Sequence, residues 1–493
     1  MRDHEPGQTE TGEHVKVQCR VPPRPIEGHQ PRRPGNAEPG ARDEERRGQH
    51  AEPYAAVAAR DATGQRAPGD GVLPEKCGHE RQAGDAVREI ERKRRRLGEQ
   101  PRDEPRRDEG AHRDEEHEVR GAAGHAKMLF RWHTAPMPER IVVTSEPLNA
   151  ETPLGRDTAA ITPVGRHYVR THFPRPSPPH EIVVDGAVRN GARYDLAALQ
   201  ALAARTLTVT LECAGNGRAY LEPKVPGEQW RLGAVGTAEW TGVPLRTLLE
   251  RADLGPSARE ILFRGADRGT PKELAREIAF ERSLPIADAL ADDVLVAYAM
   301  NGAPLAPEHG APWRLIVPGR YGMASVKWLE RVSAIEEPFA GFYQRTKYVI
   351  NGAPLPPIAP RAVLVEPADG EEIAPWRERG QAWRIAVRGY AWSGSAEVAR
   401  VDIGSRPRSA GGEADWRMAK LGPATSPYAW REFQLDLLLA VEPPVKAAHG
   451  WGGEFDIVAR ATDANGETQP LSQNWNALGY MNNQARPVRV RIV

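Results

Sequence analysis

The chain has 493 residues and carries 67 Lys and Arg against 67 Asp and Glu, so its formal net charge at pH 7 is zero. This balance excludes the strong positive field that draws proteins to nucleic acid or to anionic membranes. Since the sequence contains no run of about 18 or more apolar residues, it predicts no membrane-spanning helix. The length allows for two or three domains of ordinary size.

Residues 1–127 differ in composition from the rest of the chain. Tyr54 is their one aromatic residue, whereas all 12 Trp and all 8 Phe come later. Residues 81–120 mix acidic and basic side chains with few apolar ones, so burial cannot offset the entropy lost on ordering. Acidic neighbours cancel the basic run 92–96, which favours a solvated tail over a nucleic-acid patch. We expect the segment to be disordered, or to precede a true start at Met128.

From residue 128 onward the composition is globular and strands dominate. Residues 181–184 precede Asp185-Gly186, a pair that predicts a hairpin turn after a strand. Thr alternates with apolar residues over 206–211, which is the two-residue period of a strand. Short helices are predicted over 195–204 and 244–252, and buried strands over 294–299 and 313–318.

A domain boundary is predicted at residues 353–362, where closely spaced prolines form a stiff connector. Short strands follow, separated by turns, and the sequence Asp463-Ala464-Asn465-Gly466 is one such turn. This spacing predicts an all-β sandwich over residues 363–493. The strands are predicted over 384–389, 398–403, 431–438, 454–461 and 487–493. With a mixed α/β domain over 128–352, the predicted fold class is α+β.

The chain has three cysteines, Cys19, Cys77 and Cys213, which are too few for a disulfide framework or a four-thiolate zinc site. Cys213 lies in the globular part, where a predicted strand ends in the loop 214–217 of Ala, Gly and Asn. Such small residues leave the thiol uncovered and let the backbone approach a bulky ligand. Arg218 favours the thiolate form, which is the form that binds metals.

Three interpretations of Cys213 stay open on these grounds: a buried core cysteine, the nucleophile of a Cys–His pair, or a metal ligand. A dinucleotide-binding loop is excluded because Tyr220 stands where that fingerprint needs its third glycine. A single thiolate cannot hold an iron–sulfur cluster or a closed zinc site. It can complete the coordination of a metal whose other ligands come from a cofactor.

Residues 165–493 resemble the sulfite oxidase family of molybdopterin enzymes. The resemblance rests on several motifs that occur in the order typical of that family. They are Tyr168-Val169-Arg170-Thr171-His172-Phe173-Pro174, Glu212-Cys213-Ala214-Gly215-Asn216, Gln229-Trp230, and residues 236–243, 297–302, 309–314, 318–322 and 326–329. Thr171 stands where the family usually has Asn. Residues 389–394 and 475–480 resemble the family's immunoglobulin-like dimerisation domain.

The resemblance implies a molybdopterin-binding domain of the sulfite oxidase type, with Mo-molybdopterin as cofactor and Cys213 as the protein ligand to molybdenum. It implies an oxyanion pocket beside the metal, formed by Arg170, Arg218, Trp230 and Tyr348 in catalytic roles. The residues implied to bind the pterin and its phosphate are Tyr168, Val169, Arg170, Thr171, His172, Asp267, His309, Arg314, Ser325, Val326 and Lys327. The cationic members suit a buried anionic cofactor.

The implied reaction is the oxidation of sulfite to sulfate by oxygen-atom transfer. Because the sequence has no haem-attachment motif, we expect the electrons to pass to a separate acceptor such as a cytochrome or oxygen. The implied assembly is a homodimer, and no nucleic-acid or membrane partner is expected. With no twin-arginine signal before an apolar stretch, we expect a cytoplasmic protein.

Other functions remain possible on the same sequence. They are a nitrate reductase-like enzyme, a sulfoxide reductase of the same superfamily, and an inactive pterin-binding dimer. The predicted sandwich argues against the sulfoxide reductase, which usually lacks that domain, and the joint presence of Cys213, Arg170 and Arg218 argues against loss of activity.

Overall fold

The structure is a computed structural model that describes residues 139–377, 382–409, 412–439 and 453–493. The predicted tail, residues 1–127, and the proposed start at Met128 lie outside the described residues. Within the described part, no helix is both long and apolar enough to cross a membrane.

The first part of the described chain, here called the mixed domain, contains strands β1–β14 and short helices. In chain order the strands are β1 (Ile141–Thr144), β2 (Asn149–Glu151), β3 (Ile182–Gly186), β4 (Ala192–Tyr194), β5 (Arg205–Glu212), β6 (Val235–Pro244), β7 (Glu260–Gly269), β8 (Ile278–Pro285), β9 (Leu295–Met300), β10 (Ala303–Pro304), β11 (Arg314–Ile316), β12 (Leu329–Ile335), β13 (Val349–Ile350) and β14 (Ala353–Pro354). The helices are α1 (Leu196–Gln200), α2 (Leu245–Ala252), α3 (Ile286–Ala289) and α4 (Phe342–Arg345).

The larger sheets of the mixed domain have the orders β10-β9-β6-β5 and β4-β3-β12-β7-β8, and β11 pairs with β9. Strands β12 and β3 are parallel, whereas the other pairs within these two sheets are antiparallel. Helix α2 buries Leu245, Leu248, Leu249 and Ala252. This is the spacing of one helix face, and the helix ends at Asp253, whose φ of 54° cannot continue it. Both predicted helices are confirmed, although α1 ends at Gln200, four residues before the predicted end.

The hairpin turn predicted at Asp185-Gly186 is wrong, because both residues belong to β3. The chain turns after Gly186 and returns as β4, which pairs Ala192 with Val184. Gly186 has a φ of 88°, and a Cβ there would lie 2.1 Å from the carbonyl oxygen of Ala334 in β12. Glycine is therefore needed for the close approach of the parallel neighbour, not for a two-residue turn.

The second part, here called the sandwich, contains strands β15–β23 in two facing sheets. The strands are β15 (Arg361–Glu366), β16 (Glu371–Ile373), β17 (Arg384–Trp392), β18 (Val398–Pro407), β19 (Asp415–Met418), β20 (Lys420–Leu421), β21 (Arg431–Leu438), β22 (Gly453–Asp463) and β23 (Val488–Ile492). The sheets have the orders β15-β17-β21-β20 and β16-β23-β22-β18-β19. Val387 and Phe433 of one sheet share a core with Val401 and Ile457 of the other. The predicted fold class, a mixed domain followed by an all-β sandwich, is confirmed.

The sandwich closes an edge of the mixed domain. Strand β5 is the outer strand of its sheet, so its outer backbone groups need partners. The Thr210 amide donates to the carbonyl oxygen of Tyr428 at 2.9 Å, and the Trp430 amide donates to Oγ1 of Thr210 at 2.7 Å. Thr210 is consequently buried.

The proline-rich connector packs between the two parts. Ile358 is buried, its amide donates to the carbonyl oxygen of Gly319 at 2.9 Å, and its own carbonyl accepts from the Gly394 amide at 2.8 Å. A Cβ on Gly394 would lie 2.1 Å from the Gly319 carbonyl oxygen, so glycine is required at this contact. The domain limits derived from the sequence stay predictions.

Candidate active site

Strand β5 delivers Cys213 to the loop that follows it. The Cys213 amide donates to the carbonyl oxygen of Ala234 at 2.9 Å, and its carbonyl accepts from the Asn216 amide at 2.9 Å. The residue is 7% exposed. Cys213 is the one cysteine of the described ranges, since Cys19 and Cys77 lie outside them.

Cys213 lies where two cavities meet. The inner cavity has a volume of about 640 Å³ and the outer one about 1410 Å³, including the space open to solvent. Arg170, His172, Cys213 and Tyr348 line both. A group bound in the inner cavity and a molecule entering through the outer one would therefore meet at the thiol.

The inner cavity brings together all but one of the residues predicted to bind the pterin. The predicted residues that line it are Tyr168, Val169, Arg170, Thr171, His172, Asp267, His309, Arg314, Ser325 and Lys327. Val326 is the exception, because its side chain is fully buried in the apolar core. Ser325 and Lys327 on either side of it face the cavity, while Val326 points away from it.

Two buried cations of the inner cavity are bound to uncharged oxygen atoms. Arg314 donates to the carbonyl oxygens of His309 at 3.1 Å and Ser325 at 2.9 Å. Lys327 Nζ donates to Oγ1 of Thr171 at 3.0 Å and to the carbonyl oxygen of Glu308 at 2.9 Å. Burial lowers the pKa of Arg314 to about 10 and also lowers the pKa of Lys327. An anion in this cavity would stabilise both charges.

Asp267 and His309 also belong to the titratable lining of the inner cavity. Burial raises the pKa of Asp267, and Oδ1 of this carboxyl group is buried without a hydrogen-bond partner. Burial lowers the pKa of His309, as do the charges of Arg140 and Arg314. Nε2 of His309 lies 3.1 Å from Arg140 Nη2. A neutral imidazole and a carboxyl oxygen without a hydrogen-bond partner suit a site whose remaining partners come from a bound molecule.

The outer cavity contains both arginines of the predicted oxyanion pocket. Arg170 Nη1 donates to Oδ1 of Asn149 at 3.1 Å, and its Nη2 lies 3.3 Å from a carboxylate oxygen of Glu228. Arg218 donates from Nη1 to the Glu228 carbonyl oxygen at 2.9 Å and from Nη2 to the Leu478 carbonyl oxygen at 3.1 Å. Both guanidinium groups are thus held in place at the wall of a cavity that reaches Cys213.

Two glycines, Gly215 of the Cys213 loop and Gly479 of the sandwich, make room for Arg218. A Cβ on Gly215 would lie 2.5 Å from Nη1 of Arg218, and one on Gly479 would lie 2.8 Å from its Nε. We predicted from the sequence that the small residues let the backbone approach a ligand. The structure shows a further reason why residue 215 is glycine: the guanidinium group of Arg218 packs directly against it.

Tyr348 and His172 form a neutral pair beside the thiol. Oη of Tyr348 lies 2.6 Å from Nε2 of His172, and the Tyr348 ring stacks on Tyr480 with centroids 5.1 Å apart. Burial raises the pKa of Tyr348 well above its usual value and lowers the pKa of His172 well below its usual value. The pair therefore offers hydrogen bonds at the meeting point of the cavities without adding charge.

Trp230 does not line either cavity, in contrast to its predicted place in the oxyanion pocket. It is fully buried in the apolar cluster that also contains Cys213, Leu211 and Trp240. The backbone of Trp230 holds the chain that follows the Cys213 loop, because its carbonyl oxygen accepts from the Ala219 amide at 2.9 Å.

The sequence did not indicate several residues that line the inner cavity: His167, Leu211, Ala214, Phe280, Glu308, Gly322 and Met323. His167 is fully enclosed, and its ring stacks on Tyr168 with centroids 5.1 Å apart. Burial lowers its pKa to about 4. In the sequence, only the position of His167 directly before the Tyr168 motif indicated that it could line the cavity.

A buried ion pair joins the start of the Cys213 loop to the sandwich. Glu212, the residue before the cysteine, lies 3.0 Å from Nε of Arg361, and the two side chains are 1% and 3% exposed. Trp392 Nε1 donates to Oε2 of Glu212 at 2.8 Å. Asn216 Nδ2 donates to Oε1 at 2.9 Å from the loop itself. We call Glu212, Arg361 and Trp392 the interdomain bridge.

Further bonds from the sandwich reach the loop backbone. The Met481 amide donates to the Ala214 carbonyl oxygen at 2.9 Å, and Asn482 Nδ2 donates to the Gly217 carbonyl oxygen at 2.9 Å. Arg361 donates to the Asn216 carbonyl oxygen at 3.2 Å. The position of Cys213 therefore depends on side chains and backbone from both parts of the molecule.

Two family models match the chain, in the order of its two parts. Residues 171–343 match the oxidoreductase molybdopterin binding domain, and residues 358–492 match the Mo-co oxidoreductase dimerisation domain. The first match includes Cys213 and most of the inner cavity, and the second includes Arg361 and Trp392 of the interdomain bridge.

Characterised relatives and a solved structure agree with these matches. Mitochondrial sulfite oxidase from Homo sapiens is 33% identical over 386 residues, which are 72% of this chain and 66% of the relative. Nitrate reductase [NADH] 2 from Phaseolus vulgaris is 31% identical over 379 residues, which are 68% of this chain and 40% of the relative. This chain thus spans slightly less than two thirds of the human relative.

The solved sulfane dehydrogenase SoxCD from Paracoccus pantotrophus has a similar fold, with a TM-score of 0.58. It is 24% identical, and the match covers 75% of this chain and 93% of the other. The binding-domain match and the sulfite oxidase relatives make Mo-molybdopterin the cofactor of this chain. Together, the two matched domains and the relatives show that the chain belongs to the sulfite oxidase family of molybdopterin-dependent oxidoreductases.

Proposed function

We propose that this protein oxidises sulfite to sulfate at Cys213 and passes the electrons to a separate acceptor such as a cytochrome or oxygen. The observation that carries the proposal is the meeting of two cavities at the thiol. The inner one is lined by Arg314 and Lys327, whose hydrogen bonds go to uncharged oxygens, and the outer one by the two arginines of the oxyanion pocket. The similarity to mitochondrial sulfite oxidase supports the same substrate.

The residues of the inner cavity fit an anionic pterin cofactor. Arg314 and Lys327 bind uncharged oxygens and have lowered pKa values, so both charges would be stabilised by a phosphate or a dithiolene. Asp267 and His309 would supply polar contacts, and Cys213 would bind the molybdenum as a soft thiolate ligand. When bound, the cofactor supplies the two-electron oxidation and the exchange of an oxygen atom.

The residues of this chain bind and orient the substrate. Arg170 and Arg218 would attract a doubly charged oxyanion into the outer cavity and hold it close to Cys213. Tyr348 and His172 stay neutral, so they can hydrogen-bond to the anion without adding charge to the pocket. Cys213 is 7% exposed, so little bulk water contacts the thiol itself.

A reductase that acts on nitrate is the second candidate, and the similarity to plant nitrate reductases favours it. Such an enzyme would use the same thiol and the same two arginines, with electrons moving toward the substrate. We further propose that the chain forms a homodimer through the sandwich, in line with the dimerisation-domain match. Location in the cytoplasm also stays a proposal.

Metal analysis tests the cofactor assignment directly. Protein purified from a host supplied with molybdenum should contain about one molybdenum per chain, as a single thiolate site allows. The measurement is elemental analysis against protein concentration, with protein from a molybdenum-depleted host as the control. Purified protein without molybdenum under replete conditions would contradict the assignment.

A steady-state assay separates the two candidate functions. Sulfite with an artificial electron acceptor should give turnover, whereas nitrate or methionine sulfoxide with a reduced dye should give little. We expect the ratio of kcat/KM values to favour sulfite by at least about a hundredfold, roughly 3 kcal/mol of transition-state free energy. A preference for nitrate in the reducing direction would overturn the proposal and support the second candidate.

A further inference from the structure

Glu228 touches both arginines of the outer cavity. Its carboxylate lies 3.3 Å from Nη2 of Arg170, and its carbonyl oxygen accepts from Nη1 of Arg218 at 2.9 Å. It lines the outer cavity together with Cys213, and its side chain is 25% exposed. Glu228 thus places a negative charge directly beside the two arginines that would receive a negative ligand.

The carboxylate lies beside one terminal nitrogen of Arg170, while the other terminal nitrogen is bound to uncharged oxygens. Nη1 of Arg170 is bound to Oδ1 of Asn149 and to the Thr171 carbonyl oxygen. Nη2 faces Glu228. An oxyanion that binds Arg170 must share or displace this carboxylate, and it is also repelled by the carboxylate's charge.

We propose that Glu228 is a specificity-determining residue that competes with the oxyanion for Arg170 and so weakens the binding of doubly charged anions. The inference rests on the proposed function, because it assumes that the outer cavity receives an oxyanion. In the resting protein the carboxylate holds the guanidinium in place. After reaction it helps expel a dianionic product such as sulfate.

The proposal makes a prediction that depends on the charge of the anion. Coulomb repulsion scales with charge, so a dianion loses about twice as much binding free energy to Glu228 as a monoanion does. Glu228→Gln keeps the shape of the side chain and removes its charge. We expect this variant to bind sulfate at least about tenfold more tightly and nitrate about threefold more tightly than the wild type.

The experiment measures the binding of sulfate and of nitrate to the oxidised holoenzyme by titration calorimetry, with no electron donor present. Glu222→Gln is the matched control. Glu222 lies earlier in the same segment, does not line the outer cavity, and pairs with Lys224 at 2.9 Å with its side chain 71% exposed. This control loses the same charge, and its sulfate affinity should stay within about twofold of the wild type.

Glu228→Asp provides a second variant that keeps the charge, and its sulfate affinity should also stay within about twofold of the wild type. The proposal is overturned by unchanged or weaker sulfate binding in Glu228→Gln, by equal tightening for both anions, or by tenfold tightening in Glu228→Asp. Should Glu228→Gln fail to fold, the aspartate variant and Glu228→Ala carry the same comparison.

The binding measurement also separates this inference from the proposed function. Tighter sulfate binding in Glu228→Gln, in a protein that does not turn over sulfite, would support the role of Glu228 and reject the proposed reaction. Sulfite turnover with no change in sulfate affinity in Glu228→Gln would support the proposed reaction and reject the role of Glu228. Sulfate that binds neither the wild type nor the variant would overturn the inference.

Discussion

Replacement of Cys213 by serine should abolish turnover while leaving the fold intact. Serine keeps the shape of the side chain with a smaller atom in place of the sulfur, and the backbone bonds of residue 213 to Ala234 and Asn216 do not involve its side chain. The hydroxyl is a hard, protonated group and a poor substitute for a thiolate ligand. We expect activity to fall by far more than the roughly hundredfold loss that is typical of residues that merely support a ligand.

Turnover of sulfite, molybdenum content and melting temperature should be measured on the same preparation of Cys213→Ser. Cys77→Ser is the matched control, because it removes a thiol outside the described residues and should leave turnover unchanged. Wild-type turnover in Cys213→Ser would reject the cysteine as the metal ligand. A large fall in melting temperature would instead assign it a role in the core, as its cluster with Trp230 and Leu211 allows.

Replacement of Arg361 by methionine should cost about 3–5 kcal/mol of unfolding free energy, because it leaves the Glu212 carboxylate buried without its counter-charge. Glu212 and Arg361 are 1% and 3% exposed, so water cannot take over the lost interaction. For a unit of this size the melting temperature should fall by about 10 °C. The same variant also removes the hydrogen bond from Arg361 to the Asn216 carbonyl oxygen in the Cys213 loop. Molybdenum content should therefore also fall.

Thermal unfolding of single and double variants measures the strength of the interdomain bridge. Glu212→Gln combined with Arg361→Met should recover part of the stability, because no buried charge then remains. Arg491→Met is the matched control: its pair with Glu372 is 57% and 60% exposed, and its loss should cost less than about 1 kcal/mol. Equal losses for Arg361 and Arg491 would show that breaking the buried pair costs no more than breaking an exposed one.

The candidate site could be predicted from the sequence where its members follow one another along the chain. Cys213 and the run Tyr168 to His172 are local motifs, and the structure brings them together around one cavity. The arginines of the outer cavity were found in the same way. Glu228 was not, because nothing next to it in the sequence indicates that its carboxylate reaches Arg170.

The contacts between the two parts could not be predicted. The interdomain bridge joins Glu212 to Arg361 and Trp392, which are far apart in the sequence and belong to different strands. Local patterns carry no information on such a pair. For the same reason the alternation in β5 correctly predicted a strand but not the burial of Thr210, which is caused by Tyr428 and Trp430.

The bonds from the sandwich to the Cys213 loop also set the order of events when the protein is made. The loop takes its final bonds from Arg361, Met481 and Asn482, which leave the ribosome long after Cys213 does. A nascent chain that ends before these residues has the thiol but lacks the contacts that hold it in place. We therefore expect maturation to be post-translational, with the cofactor captured by a chain whose two parts have already docked.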